Sequence, residues 1–187
     1  MRFKLPYRAL LALTLFACTC ATQAASTTFG STDAVKCYQE SLFRFSNQGV
    51  SYCNDAINRG ELNRRDLAAT YSNRGIIHLK NGKYEKALKD HDRAVRIKPD
   101  MPQVHINRGN VLYHTHDYEE ALIEFDKAIE TDHGLVAISL FNKALTLLKL
   151  RRITEAKTTL EFALEADPQS KRIKDKLEDI ASLSESP

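Results

Sequence analysis

The chain is 187 residues long, with 27 Lys and Arg against 24 Asp and Glu and a formal net charge of +3. The whole excess lies in the first 24 residues, as Arg2, Lys4 and Arg8, with no acidic residue beside them. The remainder is balanced at 24 of each sign, which excludes the strong basic field that would draw the whole chain to nucleic acid or anionic lipid.

Residues 1–24 read as an export signal. The basic start is followed by an apolar stretch, Ala9 to Ala17, and by the small-residue cleavage pattern Thr22-Gln23-Ala24. That stretch is too short and too weakly flanked to prefer a membrane span. Cleavage near Ala24 places the protein in the periplasm or outside the cell. Leu15-Phe16-Ala17-Cys18 weakly resembles a bacterial lipoprotein-processing site, although bulky Phe16 fits it poorly. Attachment to a membrane follows only if Cys18 is lipidated. Residues 25–32 form a flexible linker.

The next stretch becomes legible from the part that follows it. Ala68 to Lys80 reads as a helix that stops at the turn dipeptide Asn81-Gly82, and Tyr84 to Lys98 as a second that stops at Pro99. Asp100 is expected to cap the helix after it, with Pro102 in the first turn. Asp117 and Glu120 form a capping box ahead of Ala121, Leu122 and Phe125, and Gly134 suits the left-handed end of that helix.

Gly75, Ala87, Ala94 and Pro99 recur 34 residues later as Gly109, Ala121, Ala128 and His133. They recur again after 35 more as Ala144, Ala156, Ala163 and Pro168. A fixed period of this size marks a solenoid, in which each unit buries its apolar face against its neighbours. The small residues fall where paired helices approach most closely, Gly75 against Ala87, Gly109 against Ala121 and Ala144 against Ala156.

The units span 68–101, 102–136 and 137–170. Upstream, Cys37, Gly49, Cys53 and Ala56 precede Gly75, Ala87, His91 and Ala94 by 38 residues. That offset is one unit plus an insertion of four near Arg64 to Leu67, so residues 33–67 read as a degenerate hairpin. Downstream, Ile173, Leu177 and Ile180 sit at helical spacing among charged residues. Residues 171–183 are therefore a polar-backed capping helix, and 184–187 a tail.

This pattern resembles the tetratricopeptide repeat family. Tyr71, Gly75, Ala87, Ala94 and Pro99 carry the match in the first unit, and Gly109, Tyr118, Ala121, Phe125 and Ala128 in the second. In the third unit it rests on Ala144, Leu147, Ala156, Ala163 and Pro168. His133 departs from the family's unit-ending proline and Ala144 from its glycine. The resemblance implies an all-α, right-handed solenoid of about three repeats, with the degenerate N-terminal hairpin and the C-terminal capping helix at its ends.

It also implies that the first helix of each pair lines a concave groove. By register that groove holds Asn73, Ile76 and Lys80, then Ile106, Asn107, Asn110 and Tyr113, then Ile138, Phe141, Asn142 and Leu145. Asn73, Asn107 and Asn142 occupy one place in all three units. Their amides suit the backbone of an extended peptide, or bond within the solenoid itself. Some family members grip a chaperone tail's carboxylate with lysines, arginines and asparagines here. Ser72, Ile76 and Ile138 stand where such groups would be wanted, which disfavours that mode. The mixed lining suits an apolar or amphipathic segment.

Chemistry is sparse. Cys18 and Cys20 leave with the signal, and Cys37 and Cys53 face each other across the degenerate hairpin in an oxidising compartment. A disulfide between them closes a loop worth roughly 3 kcal/mol in the chain-entropy view. The alternative is two buried free thiols at the places of Gly75 and His91. His114, His116 and Asp117 have the residue types of a metal-ligand cluster, but the favoured reading is an exposed turn whose aspartate caps the next helix.

His78, His91 and His105 read as core or boundary residues, and the acidic pairs Asp90/Asp92 and Glu119/Glu120 as solvated faces. No nucleophile elbow, phosphate loop or zinc-protease motif occurs. The expectation is a non-catalytic interaction module of the bacterial cell envelope, with no cofactor and no metal, binding a protein or peptide. Self-association as a homo-oligomer is the structural alternative, and a metal or redox protein the remote one.

Overall fold

The computed structural model describes residues 32–131 and 133–184. The signal, the lipoprotein-like Cys18, most of the linker and the end of the tail lie outside them. Among the described residues there are nine α-helices and no strand: α1 (Thr32–Phe43), α2 (Asn47–Arg59), α3 (Arg64–Lys80), α4 (Tyr84–Ile97), α5 (Pro102–His114), α6 (Tyr118–Thr131), α7 (Val136–Lys149), α8 (Ile153–Ala166) and α9 (Lys171–Ser184). None of these helices is long and apolar enough to cross a membrane.

Successive helices pack as antiparallel pairs, α1 with α2, α3 with α4, α5 with α6 and α7 with α8, and α9 closes against α8. The first helices also approach one another, α1 with α3, α3 with α5 and α5 with α7, while the second helices do not come comparably close. The first helices are therefore the crowded inner layer, and the solenoid curves around them. On the outer side the splay leaves a crevice of about 530 Å³ between α6 and α8, floored by Leu122 and Leu147.

The turn inside each pair is built the same way three times. Lys83, Asp117 and Arg152 donate backbone N–H groups to the carbonyls of His78, Leu112 and Leu147, at 2.8, 2.9 and 2.9 Å. This closure needs a left-handed residue, supplied by Gly82 (φ 69°), His116 (φ 69°) and Arg151 (φ 61°). The four-residue insertion is the opening turn of α3, capped by Asn63, whose side chain accepts from the Asp66 amide at 2.9 Å.

Two expected caps take other forms. Asp100 binds Lys98 at 2.6 Å rather than capping α5, which starts after Met101 without a side-chain cap. Gly134 lies within a 3₁₀ turn, His133–Leu135, leading into α7.

At the centre of each pair one contact recurs in four chemistries. Gly75 leaves room for the His91 ring, since a Cβ there would stand 2.7 Å from Nε2. Gly109 does the same for Phe125, also at 2.7 Å. The rings, rather than Ala87 and Ala121, are what these glycines accommodate. Ala144 and the buried Leu160 share a cluster in the fourth pair. In the first pair Cys37 and Cys53, both fully buried, are joined by a disulfide.

The interfaces between pairs carry a charged ladder. The Arg74 guanidinium grips Asp90 through two bonds of 2.8 and 2.6 Å and reaches Asn54 of the preceding pair at 2.6 Å. Arg108 binds Asp92 of the preceding pair at 2.7 Å and Glu124 of its own at 3.1 Å. Lys143 reaches back to Asp126 at 2.6 Å. Asp90 and Asp92 are thus interface residues and not a solvated face, because their partners come from neighbouring inner helices.

Beside this ladder, Glu124 also accepts from Lys127 at 2.7 Å and from His105 Nδ1 at 2.8 Å. His105 Nε2 lies 2.7 Å from the Pro99 carbonyl. With acceptors at both nitrogens the arrangement favours the protonated ring, which can donate to each. The hydrogen bond to Glu124 raises its pKa against the cost of burial. Burial alone would push Glu124 up, but the bonds from His105 and Lys127 and the charge of Arg108 outweigh it and hold it at about 2.

Candidate binding groove

The groove is the exposed surface of α1, α3, α5 and α7. Of the residues expected to line it, Lys80 is exposed, Ile138 is 44% exposed, and Asn73, Ile76, Asn107, Asn110, Tyr113, Asn142 and Leu145 are half-buried. Ile106 and Phe141 are buried, at 6% and 4% exposure. Phe141 belongs to the core shared with Leu160, Ile173 and Ile180, because α9 folds back over this end. The Arg172 guanidinium lies 3.9 Å from the centre of its ring. Between α7 and α9 remains a shallow cavity of about 620 Å³ floored by Phe141 and Leu145.

The asparagine row divides by partner. Asn107 donates to the Ser72 hydroxyl at 3.0 Å, and Asn142 donates to the Asn110 carbonyl oxygen at 3.1 Å. Asn73 makes no side-chain hydrogen bond among the described residues. The Ser72 oxygen lies 3.4 Å from His91 Nδ1, so the chain runs from Asn107 to Ser72 to a neutral imidazole. Burial drives the His91 pKa down to about 3, helped by the charge of Arg108. Asn107 is therefore committed to the interior between the α3–α4 and α5–α6 pairs.

The structure adds groove residues at the other end. Tyr38 and Leu42 on α1 are 52% and 45% exposed, at the register places of Ile76 and Lys80. The 38-residue offset that revealed the cysteines also locates these two. Among the inner helices the exposed apolar side chains are thus on α1, where Phe43 joins Tyr38 and Leu42, and at Ile138 of α7, while α9 covers Phe141.

Along the rim beside the turns, Lys80 lies 5.6 Å from the centre of the Phe45 ring, and His114 stacks on Tyr84 at 6.1 Å and 7°. Burial and the charges of Lys80 and His116 lower the His114 pKa, leaving it neutral near pH 7. His116 Nδ1 lies 2.7 Å from the Tyr118 hydroxyl. The Asp117 carboxylate accepts from the Thr115 hydroxyl at 2.6 Å. Each member of the His114–His116–Asp117 cluster has its own local contact, and no metal-binding group of three or more His, Cys, Asp or Glu occurs among the described residues.

Residues 68–101, 102–134 and 137–170 each match the tetratricopeptide repeat, together more than half of the chain. The chain belongs to the tetratricopeptide repeat family. Solved structures share the architecture at low sequence identity. The first such domain of Spaghetti (RPAP3), bound to the HSP90 peptide SRMEEVD, is 20% identical with a TM-score of 0.60, covering 65% of this chain and 96% of that one.

The second domain of human RPAP3, in complex with the HSP70 peptide SGPTIEEVD, is 24% identical with a TM-score of 0.59, covering 64% and 98%. The MamA RS-1 ArsTM double mutant aligns over a longer stretch, 84% of this chain and 88% of that one, at 15% identity and a TM-score of 0.67. No curated protein sequence matches the chain. At these identities the likeness establishes the repeat architecture.

Proposed function

We propose that this protein is a non-catalytic protein–protein interaction module, a scaffold or adaptor of the bacterial cell envelope, that holds a peptide or helix of a partner in its concave face. The observation that carries the reading is the apolar surface on the inner helices, with Tyr38, Leu42 and Ile138 exposed and Ile76 and Leu145, in register with Tyr38, half-buried. Two structural neighbours that bind peptides support the class of ligand. The buried Cys37–Cys53 bond and the export pattern of residues 1–24 support an oxidising, extracytoplasmic compartment.

The test is a photo-crosslinking residue placed at Ile138 in cells producing the full chain, with adducts identified by mass spectrometry. One recurrent envelope protein, lost on combining Tyr38→Ala with Ile76→Ser, is the expected outcome. Adducts only to a second copy of the chain would replace this reading with self-association. Adducts only to cytoplasmic proteins would remove the envelope assignment.

A further inference from the structure

Charge that balances along the chain does not balance across the fold. Among the described residues between Ala68 and Glu165 every carboxylate lies on an outer helix or in a turn, and α5 and α7 carry none. On α3 the single acid, Asp66, is in the opening turn and bonded to Asn63. On α1 both acids are buried, Asp33 against Arg59 and Glu40 against Ser46.

The inner layer does carry cations. Arg74, Arg108 and Lys143 are used up in the ladder between pairs. One further register place, in the last turn of α3, α5 and α7, holds Lys80, the neutral His114 and Lys149. All three are exposed, and neither lysine has a carboxylate partner among the described residues.

At the α9 end Arg172 rests on Phe141 and has no ion pair with a carboxylate among the described residues. Lys171 and Lys176 beside it are neutralised by Asp175 and Asp179. The concave face is thus an apolar and amide floor edged by Lys80 and Lys149, and the acids that line its α9 end, Asp175 and Asp179, are bonded to lysines.

We propose that the segment held in the groove is acidic and amphipathic, a peptide whose apolar side chains rest on Ile76 and Ile138 and whose carboxylates meet Lys80 and Lys149 at the rim. The inference rests on the groove reading above and adds the partner's chemistry to it. The cations stand beside the turns and not at Ser72, Ile76 and Ile138, so the contact differs from a clamp on a terminal carboxylate. A rim of this kind is complementary to dispersed side-chain carboxylates and weakens as salt screens it.

The experiment uses the full mature chain and three labelled amphipathic peptides of one length, leucine–glutamate, leucine–glutamine and leucine–lysine, followed by fluorescence anisotropy. The glutamate peptide should bind at least about tenfold more tightly than the other two, a difference of about 1.4 kcal/mol. Lys80→Ala with Lys149→Ala should weaken it by a similar factor, as should high salt. Lys98→Ala, whose side chain pairs with Asp100 in a loop, should leave it unchanged.

Equal binding of the glutamine or lysine peptide overturns the proposal, as does a double variant indistinguishable from wild type. Displacement of the glutamate peptide by a single-stranded oligonucleotide at equal concentration also overturns it, because that marks a general anion surface. If the glutamine peptide binds as well and Ile76→Ser with Ile138→Ser removes it, the groove stands and only the acidic preference falls. If that pair of substitutions leaves all binding unchanged, or no peptide binds, the groove reading falls too.

Discussion

In the α1–α2 pair the helices meet through a bond between Cys37 and Cys53, whereas in the α3–α4 pair the same two places hold Gly75 and the ring of His91. The surroundings explain why one contact is covalent and the other only packed. The first pair clusters Cys37 and Cys53 with Ile77 and partly buried Phe45, Val50 and Tyr52, and it buries the polar Asp33, Glu40 and Ser41 as well. The last pair, by comparison, has Phe141, Ala144, Leu160 and Ala163 packed with Ile173 and Ile180. Where apolar burial is thin, a crosslink supplies stability that does not depend on area.

Removing that crosslink should have the largest effect. Cys37→Ala with Cys53→Ala should cost about 3 kcal/mol, and the loss should be local. In hydrogen exchange, residues 32–59 should lose protection first, while α5 to α8 keep theirs. Unchanged protection in α1 and α2 would show that packing on α3 suffices without the bond.

His91 offers the opposite change, a gain. Its ring is fully buried, its Nε2 has no hydrogen-bond partner, and the equivalent place over Gly109 holds Phe125. His91→Phe should therefore stabilise the protein by about 1–3 kcal/mol at pH 7.

Its pH dependence gives a separate signature. The folded pKa, about 3, lies below the unfolded value of 6.5, so the unfolded chain binds the extra proton between those limits. Stability falls by about 1.4 kcal/mol for each unit that the pH is lowered there, and the variant should lack that slope. Glu124, at about 2 against 4.5, adds a second loss below pH 4.5. His105 works the other way, because its pKa is raised: its contribution is full below 6.5 and disappears as pH rises through the folded value. Urea midpoints from pH 2 to 9 measure all three, and an unaltered limb between pH 4.5 and 6.5 in His91→Phe would refute the assignment.

The period in small residues made the paired helices, the degenerate first pair and the cap legible, because glycine and alanine at a close contact have no substitute that avoids moving a helix. The charged ladder was harder to see. Asp90 and Asp92 look solvated when α4 is considered alone, and their partners come from α3 and α5. The signal was present in register: Arg74, Arg108 and Lys143 recur at the repeat period, as do Asn54, Asp92 and Asp126 once the insertion is allowed for. The burial of Phe141 had no such signal, since it depends on α9, which lies outside the repeats. Tyr38 and Leu42 were readable by the same offset as the cysteines.

The smallest effect concerns the turns, where the pairs differ only in the left-handed residue. Gly82 adopts φ 69° without cost, but Arg151 holds φ 61° with a side chain attached. For such a residue the left-handed region costs about 1–2 kcal/mol, and glycine's greater freedom in the unfolded chain returns about 0.5–1 of that. Arg151 is exposed and makes no side-chain contact among the described residues, so nothing else is lost. Arg151→Gly should raise stability by up to about 1 kcal/mol, or about 2–4 °C in Tm. His116→Gly should gain less, because it removes the contact between His116 Nδ1 and the Tyr118 hydroxyl along with the strain. Gly82→Ala should lose about as much as Arg151→Gly gains. A drop in Tm for Arg151→Gly would mean that the arginine contributes something the turn geometry does not show.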